Sequence, residues 1–233
     1  MIPNSSNCKG KALVRTTHHP NWLLFARTLA NQLDSPRVLA YINTRLSSLR
    51  FSLQKDIINH KDILLISFLN NHVYLYTMNI YSDSSHSALK YLKDTEVNIN
   101  NLLVMTGDFN IRDSLWDLSF FHHSSISNNL LIIADLFNLD LLIPTNLSST
   151  RYSDTEDEAN SVIDLIFLHN GSNELNNHLI HSDWYLSSNY APLTISIPIA
   201  EENIIVSKMS IPKNSKQETA NKLSWHHFKF ILK

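Results

Sequence analysis

The residues best suited to chemistry lie in the segment Thr106–Asn110, where a short apolar strand ends. Gly107 allows the chain to turn there, and Asp108 and Asn110 share one face of an extended chain because they are two residues apart. A carboxylate can hold Mg²⁺ or orient a water molecule, and a carboxamide can donate a hydrogen bond to a phosphate oxygen. The spacing therefore indicates a phosphate or metal site at a strand end. The alternative is an Asx turn that closes the strand.

Two further polar side chains interrupt or end apolar strands. Asp164 lies inside the apolar run Ser161–Phe167, and its burial costs free energy unless the carboxylate is paired or bound to a ligand. The alternative is a carboxylate on the solvated face of an edge strand. Tyr81 ends the strand predicted over His72–Tyr81, and taken alone it is a buried core tyrosine.

The composition excludes several other kinds of site. The single cysteine, Cys8, rules out an internal disulfide and a cysteine-based zinc site. Three glycines leave no Gly-rich phosphate loop. Neighbouring side chains point apart, so adjacent histidines are poor chelating pairs. Three such pairs occur: His18–His19, His122–His123 and His226–His227.

The elements that must position these residues are mostly strands. The hydrophobic pattern predicts strands over Arg37–Tyr41, Phe51–Lys55, Ile63–Leu69, His72–Tyr81, Leu102–Met105, Leu139–Ile143, Ser161–Leu168 and Leu193–Ile199, and helices over Asp83–Val97 and Ser127–Asn138. The nearly continuous apolar run Ile63–Leu69 indicates a strand covered on both faces. Strands with helices between some of them predict an α/β layered fold.

Length and charge restrict the class of protein. A chain of 233 residues can bury a core without disulfides, and its net charge of −2 is not that of a strongly basic nucleic-acid binder. No apolar segment reaches the length of a membrane span, and the N-terminus lacks the apolar region of a secretory signal. We therefore expect an intracellular protein without membrane contact. We divide it into an irregular N-terminus (1–19), a domain (20–200) and a basic C-terminal extension (201–233).

Four motifs, taken in order, resemble those of the endonuclease/exonuclease/phosphatase family. More closely, they resemble the endonuclease domain of LINE-type (non-LTR) retrotransposons. The motifs are Val73–Tyr81 (VYLYTMNIY), Gly107–Asn110 (GDFN) followed by Leu115–Asp117 (LWD), Ser161–Phe167 (SVIDLIF) and Ser187–Leu193 (SSNYAPL). The resemblance covers most of residues 20–200. It implies a four-layer α/β/β/α sandwich of two mixed sheets, with the site loops gathered at one edge.

The resemblance also implies a chemistry. In that family a divalent metal, usually Mg²⁺, acts with carboxylates, amides and one histidine to cleave a DNA phosphodiester by attack of water. By motif, Asp108 would orient or deprotonate the water, Asn110 would hold the scissile phosphate, and Tyr81 would donate a hydrogen bond to it. Asp164 would join the acidic cluster, so Asp108 and Asp164 are the expected metal ligands. DNA is the expected partner, which would place the protein in the nucleus, and no small-molecule cofactor is expected.

Two departures from the family pattern weaken this expectation. The closing motif carries Asn189 and Tyr190 where the family has Asp and His. The amide removes a negative charge, and the phenol replaces a group that titrates near pH 6.5 by one that titrates near pH 10. No Glu precedes Glu96, so the family's opening strands, with their Asn and metal-binding Glu, have no counterpart here. We therefore expect Mg²⁺ to bind weakly or not at all.

These observations predict an N-terminally truncated, degenerate retrotransposon endonuclease domain with impaired catalysis. The alternatives are a non-catalytic module that binds nucleic acid or protein through the same edge, and an enzyme whose upstream exon is missing from the predicted gene. We expect the site residues to converge at one edge of the sheets: Tyr81, Asp108, Asn110, Asp164, Asn189 and Tyr190. We also expect the missing strands to expose apolar side chains of Ile63–Leu69.

Overall fold

The computed structural model describes residues 20–26, 37–70, 72–143, 148–153, 159–170, 179–180, 189–191 and 193–195. Within these ranges the strands are β1 (Trp22–Ala26), β2 (Leu39–Asn43), β3 (Ser52–Leu53), β4 (Ile63–Asn70), β5 (Val73–Tyr81), β6 (Leu102–Asp108), β7 (Leu139–Leu142), β8 (Asp164–His169), β9 (Leu179–Ile180) and β10 (Leu193–Thr194). The helices are α1 (Ser87–Asp94) and α2 (Ser125–Leu136), and a 3₁₀ helix spans Thr44–Leu49. The predicted N-terminal segment 1–19 and the extension 201–233 lie outside the described residues.

One mixed sheet of six strands forms the centre of the molecule, in the order β3–β4–β5–β6–β8–β7. Neighbours β5 and β6 are parallel, with α1 as the connection between them, and the other neighbours are antiparallel. A parallel pair needs such a crossover, whereas antiparallel pairs can be joined by short turns. The parallel pair β5–β6 brings the C-terminal ends of two strands to the same edge of the sheet.

Helices α1 and α2 cover one face of this sheet. Their buried side chains, such as Leu89 and Leu130, share a core with alternate residues of the central strands, such as Ile63, Met78 and Met105. The helix starts differ from those predicted. Ser124 rather than a later residue caps α2, since its hydroxyl accepts the Ser127 N–H at 3.1 Å.

The first helix is also shorter than predicted, because the residues before it form a turn. Asp83 Oδ1 accepts the Ser85 N–H at 3.1 Å, and the α1 N-cap is His86, in the left-handed region at φ 52°. At its C-terminus, α1 also ends earlier than predicted, because Thr95 follows it in an extended conformation. The predicted helix over Asp83–Val97 is therefore confirmed only in its middle.

Two small sheets cover the opposite face. β1 pairs with β2, and β9 pairs with β10, both antiparallel. Val38 and residues of β2 pack on Leu64 and Ile66 of β4, while Leu193 and Ile180 pack on Ile166. The apolar run of β4 is thus covered on both faces, as predicted.

The expected exposure of apolar side chains on β4 is wrong. Leu64 and Ile66 are 1% and 3% exposed. The reason is β1, a strand that the sequence pattern did not predict because Trp22–Ala26 shows no alternation. Its pairing with β2 places a small sheet over these side chains. In the part of the chain that the structure describes, no helix has the length and apolar character needed to cross a bilayer.

Candidate functional site

Three of the predicted site residues lie side by side on neighbouring strands. Tyr81 of β5 is opposite Asp108 of β6, and Asp108 is opposite Asp164 of β8. Residues opposite one another in a sheet project from the same face. That face is the one covered by the two small sheets, since Tyr81 packs with their apolar core. The expected convergence of these three residues is therefore found in the strand register.

Asn110 joins this row through a tight turn after β6. Its φ of 51° lies in the left-handed region, which asparagine tolerates better than most residues. Its backbone N–H donates to Asp108 Oδ1 at 3.1 Å, and its side-chain Nδ2 donates to the Ser82 carbonyl at 2.8 Å. The Asx turn that the sequence analysis gave as the alternative is thus present, and a functional role of the same residues stays a prediction. The turn holds Asn110 at the edge, where its side chain is exposed.

The strand ends at this edge are held together closely. The Ser82 N–H donates to the Asp108 carbonyl at 2.8 Å, which joins the residue after β5 to the end of β6. Gly107 permits this approach, because a Cβ at that position would lie 1.9 Å from the Ile80 carbonyl oxygen. A glycine directly before Asp108 is therefore required by the packing of β5 against β6.

Asn189 and Tyr190 reach the site through the segment Thr150–Tyr152. The Tyr152 N–H donates to the Asn189 carbonyl at 2.7 Å, and Arg151 forms an isolated antiparallel bridge with Tyr190. Both predicted residues are half-buried beside the row of strands. The flanking motif residues 187–188 and 192 lie outside the described residues. Tyr81, Asp108 and Asp164 thus form one row that Asn110 adjoins, while the roles of all six predicted residues stay predictions.

Thr150 connects this segment to Asp164. Its hydroxyl oxygen accepts the backbone N–H groups of Ile163 and Asp164, at 3.0 and 3.1 Å. The hydroxyl also acts to lower the pKa of the Asp164 carboxyl group, against the larger effect of burial. The sequence analysis missed both Thr150 and Arg151, because neither belongs to an apolar pattern or a recognised motif. The only signal was their position directly before the acidic segment 154–158.

Asp164 has the most unusual environment of the ionisable groups at the site. The residue is 5% exposed, and its Oδ2 has no hydrogen-bond partner among the described residues. Burial, and then the charge of Asp108, raise the pKa of Asp164 well above its usual range. Burial also raises the pKa of Asp108 to about 6, although the Asn110 N–H and the charge of Arg151 lower it. Two neighbouring carboxyl groups that are costly to ionise together behave as a coupled pair.

Tyr190 interacts with both carboxyl groups. Burial raises the pKa of its phenol, and the charges of Asp108 and Asp164 raise it further, while Arg151 acts in the opposite direction. The phenol therefore stays protonated at neutral pH and carries a hydrogen-bond donor. A histidine at this position could exchange a proton near neutral pH, whereas this tyrosine cannot.

The described carboxyl groups at this edge are Asp108 and Asp164, the two expected Mg²⁺ ligands. Mg²⁺ prefers charged carboxylate oxygens and water in an octahedral arrangement. Asp164 is buried with a raised pKa, Asp108 already accepts an N–H, and Arg151 places a positive charge nearby. Within the described ranges, no group of three His, Cys, Asp or Glu side chains is arranged for a metal ion. The expected metal ligands Asp108 and Asp164 are opposite one another in the strand register, and their role as metal ligands stays a prediction.

A second cluster stabilises the end of β5. The Arg37 guanidinium lies over the Tyr81 ring, with Cζ 4.6 Å from the ring centroid. Arg37 also forms a salt bridge with Asp62, which is 1% exposed, and another with Asp83 at 3.2 Å. These contacts position the Tyr81 ring at the edge of the site.

The adjacent pair His122–His123 has a structural role. His123 Nδ1 lies 2.8 Å from Asp113 Oδ2, and its Nε2 lies 2.7 Å from Asn128 Oδ1. The two ring nitrogens of His123 are thus used within the loop that leads to α2. This arrangement agrees with the expectation that the pair does not chelate a metal.

Comparison with solved structures decides the fold. Over 77% of this chain and 81% of the other, the structure matches the endonuclease domain of TRAS1, a telomere-specific non-LTR retrotransposon, with a TM-score of 0.61 and 16% sequence identity. The chain has the endonuclease/exonuclease/phosphatase fold. A lower similarity, with a TM-score of 0.45 and 12% identity, relates it to TDP2 of D. rerio, solved with a single-strand DNA product; it covers 74% of this chain and 75% of that one.

Sequence comparison adds no relative. No protein-family model matches the sequence, and no curated protein matches it. At 16% identity the endonuclease/exonuclease/phosphatase fold is shared with the TRAS1 domain, while the chemistry of this chain depends on its own side chains. The fold predicted from the order of the motifs is confirmed.

Proposed function

We propose that this chain is a retrotransposon-derived endonuclease domain that binds the phosphodiester backbone of DNA and hydrolyses it poorly. One observation carries the proposal: Tyr81, Asp108 and Asp164 lie side by side in the strand register, and Tyr190, bridged to Arg151, stands where the family motif has an imidazole. The proposal is supported by the fold, which is shared with a retrotransposon endonuclease domain, and by the register of the three strands at this edge.

Phosphate binding is supported by donors at this edge. Asn110 uses one N–H of its amide to bond the Ser82 carbonyl, and the amide carries a second N–H. Its side chain is exposed, so this second donor can reach a phosphate oxygen. The Tyr81 hydroxyl lies at the same strand end and is positioned by Arg37. Two neutral donors at fixed positions suit one phosphodiester group.

Poor hydrolysis follows from the groups that surround these donors. Attack of water needs a base to accept its proton and a positive or donor-rich environment for the developing charge. Asp108, with a pKa of about 6, is suited to the role of the base. Tyr190 cannot accept a proton at neutral pH, and Asn189 carries no charge. The loss of one such group costs about 10²–10⁴-fold in rate.

The first test is a plasmid-nicking assay on the purified chain. We expect that the wild-type chain with Mg²⁺ produces no more nicked plasmid than the Asp108→Ala variant, because Asn189 and Tyr190 replace the acid and the imidazole that hydrolysis needs. In parallel, a fluorescently labelled DNA duplex should bind the wild-type chain in an anisotropy titration. Binding should weaken as salt is raised.

The control for binding is a matched pair of variants on β5. Tyr81→Phe removes the hydroxyl at the site, whereas Tyr74→Phe removes one at the opposite end of the strand, where the side chain is 56% exposed. Only Tyr81→Phe should weaken binding. Nicking that both EDTA and Asp108→Ala abolish would contradict the proposed impairment, and the absence of duplex binding would contradict the proposed function as a whole.

A further inference from the structure

We propose that His86 is a positioning residue for Asn110 and acts through Ser82, an inference that rests on the proposed function. In that function the exposed amide of Asn110 donates a hydrogen bond to a phosphate oxygen. His86 and Ser82 would orient this amide without touching the DNA themselves. Neither of them is among the six site residues that the sequence predicts, and both lie just after the first motif, Val73–Tyr81.

The Asn110 amide takes its orientation from the Ser82 carbonyl. Its Nδ2 donates to this oxygen at 2.8 Å, while the backbone of Asn110 is held separately by the bond from its N–H to Asp108 Oδ1 at 3.1 Å. Because the amide group is planar, the bond to Ser82 also sets the direction of the second N–H. A displacement of the Ser82 carbonyl would therefore turn the proposed phosphate donor away from its position.

Ser82 is fully buried and is held from two sides. On the side of β6, its N–H donates to the Asp108 carbonyl at 2.8 Å, and its own carbonyl accepts the Asn110 amide. On the side of α1, its hydroxyl forms a hydrogen bond with His86 Nδ1 at 2.9 Å. The hydroxyl contact thus connects the beginning of α1 to the residue whose carbonyl orients Asn110.

The conformation of His86 serves this contact and not the helix. Its φ of 52° lies in the left-handed region, which is uncommon for residues other than glycine. It stands at the N-cap of α1, yet its side chain caps no N–H group of the described helix. Its N–H donates to the Asp83 carbonyl at 2.9 Å, and its carbonyl accepts the Lys90 N–H at 3.0 Å. The backbone is therefore fixed while the ring bonds back to Ser82.

The contact between Ser82 and His86 joins two neutral groups. Burial lowers the pKa of His86, the charge of Asp83 acts in the opposite direction, and the charge of Lys90 lowers the pKa further. The ring is therefore neutral at neutral pH, and a hydroxyl can pair with Nδ1 in either tautomer because it both donates and accepts. Loss of this contact should weaken DNA binding without changing the number of phosphate charges that the chain neutralises.

The first test needs no DNA and follows the side-chain amide signals of Asn110 by NMR in the full chain. His86→Gly removes the ring and tolerates the left-handed φ, so it separates the hydrogen bond from backbone strain. His86→Asn also tolerates this φ and keeps a polar atom near the position of Nδ1. We expect His86→Gly and Ser82→Ala to shift the Asn110 signals, and His86→Asn to return them towards their wild-type positions.

The second test is an anisotropy titration of a labelled DNA duplex, arranged as a double-mutant cycle. We expect His86→Gly and Ser82→Ala each to weaken binding about three- to tenfold, the range for one neutral hydrogen bond, with an unchanged slope of log K against log salt. Asn110→Gly removes the donor and keeps the turn. In that background His86→Gly should cause less than about a twofold further loss, whereas an independent structural effect would be the same in both backgrounds.

Ser127→Ala is the matched control, because Ser127 is also fully buried and its hydroxyl bonds Ser124 at the start of α2. It should leave the affinity and the Asn110 signals nearly unchanged. Circular dichroism checks the folding of each variant, and Ser82→Ala tests the same contact if His86→Gly does not fold.

Two results would overturn the inference while leaving DNA binding intact. One is an unchanged set of Asn110 signals in folded His86→Gly or Ser82→Ala, and the other is a loss of affinity that is the same with and without the Asn110 amide. A wild-type chain that binds no duplex would instead contradict the proposed function, and the NMR test of the positioning contact would still apply.

Discussion

Asp113 and Asp164 are both buried, yet their surroundings differ sharply. Asp113 is fully buried and accepts the N–H groups of Leu115 and Ser124, each at 3.0 Å, together with the His123 ring. Burial acts to raise its pKa, but these hydrogen bonds outweigh it and lower the pKa to about 2. Asp164 keeps one oxygen without a partner, and its pKa is raised.

The difference separates a carboxylate that stabilises the fold from one that we propose belongs to a ligand site. A buried carboxylate is stable when hydrogen bonds replace its lost hydration, and Asp113 meets this condition completely. Burial of Asp164 with one unpartnered oxygen costs free energy, which natural structures tolerate mainly at functional positions. This contrast supports the proposal that the strand edge at Asp108 and Asp164 is the ligand site, whereas the loop around Asp113 has a structural role.

The largest effect on stability should come from removing the Asp113 carboxylate and its hydrogen bonds. Asp113→Ala leaves several buried N–H groups and His123 without their acceptor, so we expect the free energy of unfolding to fall by about 2–4 kcal/mol. Urea denaturation followed by circular dichroism measures this change. Asp135→Ala, at an exposed position on α2, should change it by less than about 0.5 kcal/mol. A loss below about 1 kcal/mol for Asp113→Ala would contradict the structural role of this cluster.

A smaller change in the free energy of unfolding, of opposite sign, is expected for a substitution of Asp164. Because the folded chain binds the Asp164 proton more tightly than the unfolded chain, wild-type stability falls as the pH rises above the unfolded pKa of 3.8. Asp164→Asn removes this pH-dependent contribution to stability and keeps the shape of the side chain. We expect it to raise the free energy of unfolding near pH 8, with a smaller gain near pH 4.

Asp113→Asn is the control for the sign of this pH dependence. The pKa of Asp113 is lowered in the folded chain. Its contribution to stability is therefore present above the unfolded pKa of 3.8 and is lost as the pH falls towards about 2. The loss caused by Asp113→Asn should therefore be largest at neutral pH and shrink in acid. If both variants changed stability in the same direction at neutral pH, the contrast between the two acids would be wrong.

Much of the fold could be predicted from the sequence because its signals are local. The continuous apolar run of β4 indicated a strand covered on both faces, and it is buried on both. The strand β1 was missed since its five residues do not alternate, and it forms only by pairing with β2. The expected exposure of the β4 side chains was wrong for the same reason.

The site could be predicted in part. Tyr81, Asp108 and Asp164 each end or interrupt an apolar strand, so the pattern marked them, and the register places them in one row. Thr150 and Arg151 could not be found in this way, because their contribution comes from tertiary hydrogen bonds and from the position of a charge. Such contacts join residues distant in the chain and leave no periodic signal.

The central claim is that the Asp108–Asp164 edge is a ligand site and that the Asp113 cluster is not. It is tested most directly by NMR titration of the aspartate side-chain carboxyl carbons, with and without a short DNA duplex. We predict that Asp108 titrates near pH 6, that Asp164 titrates above its usual range, and that both signals shift when the duplex binds. Asp113 should titrate near pH 2 and stay unchanged. Titration of all three near pH 4, or a duplex-induced shift at Asp113 alone, would contradict the account.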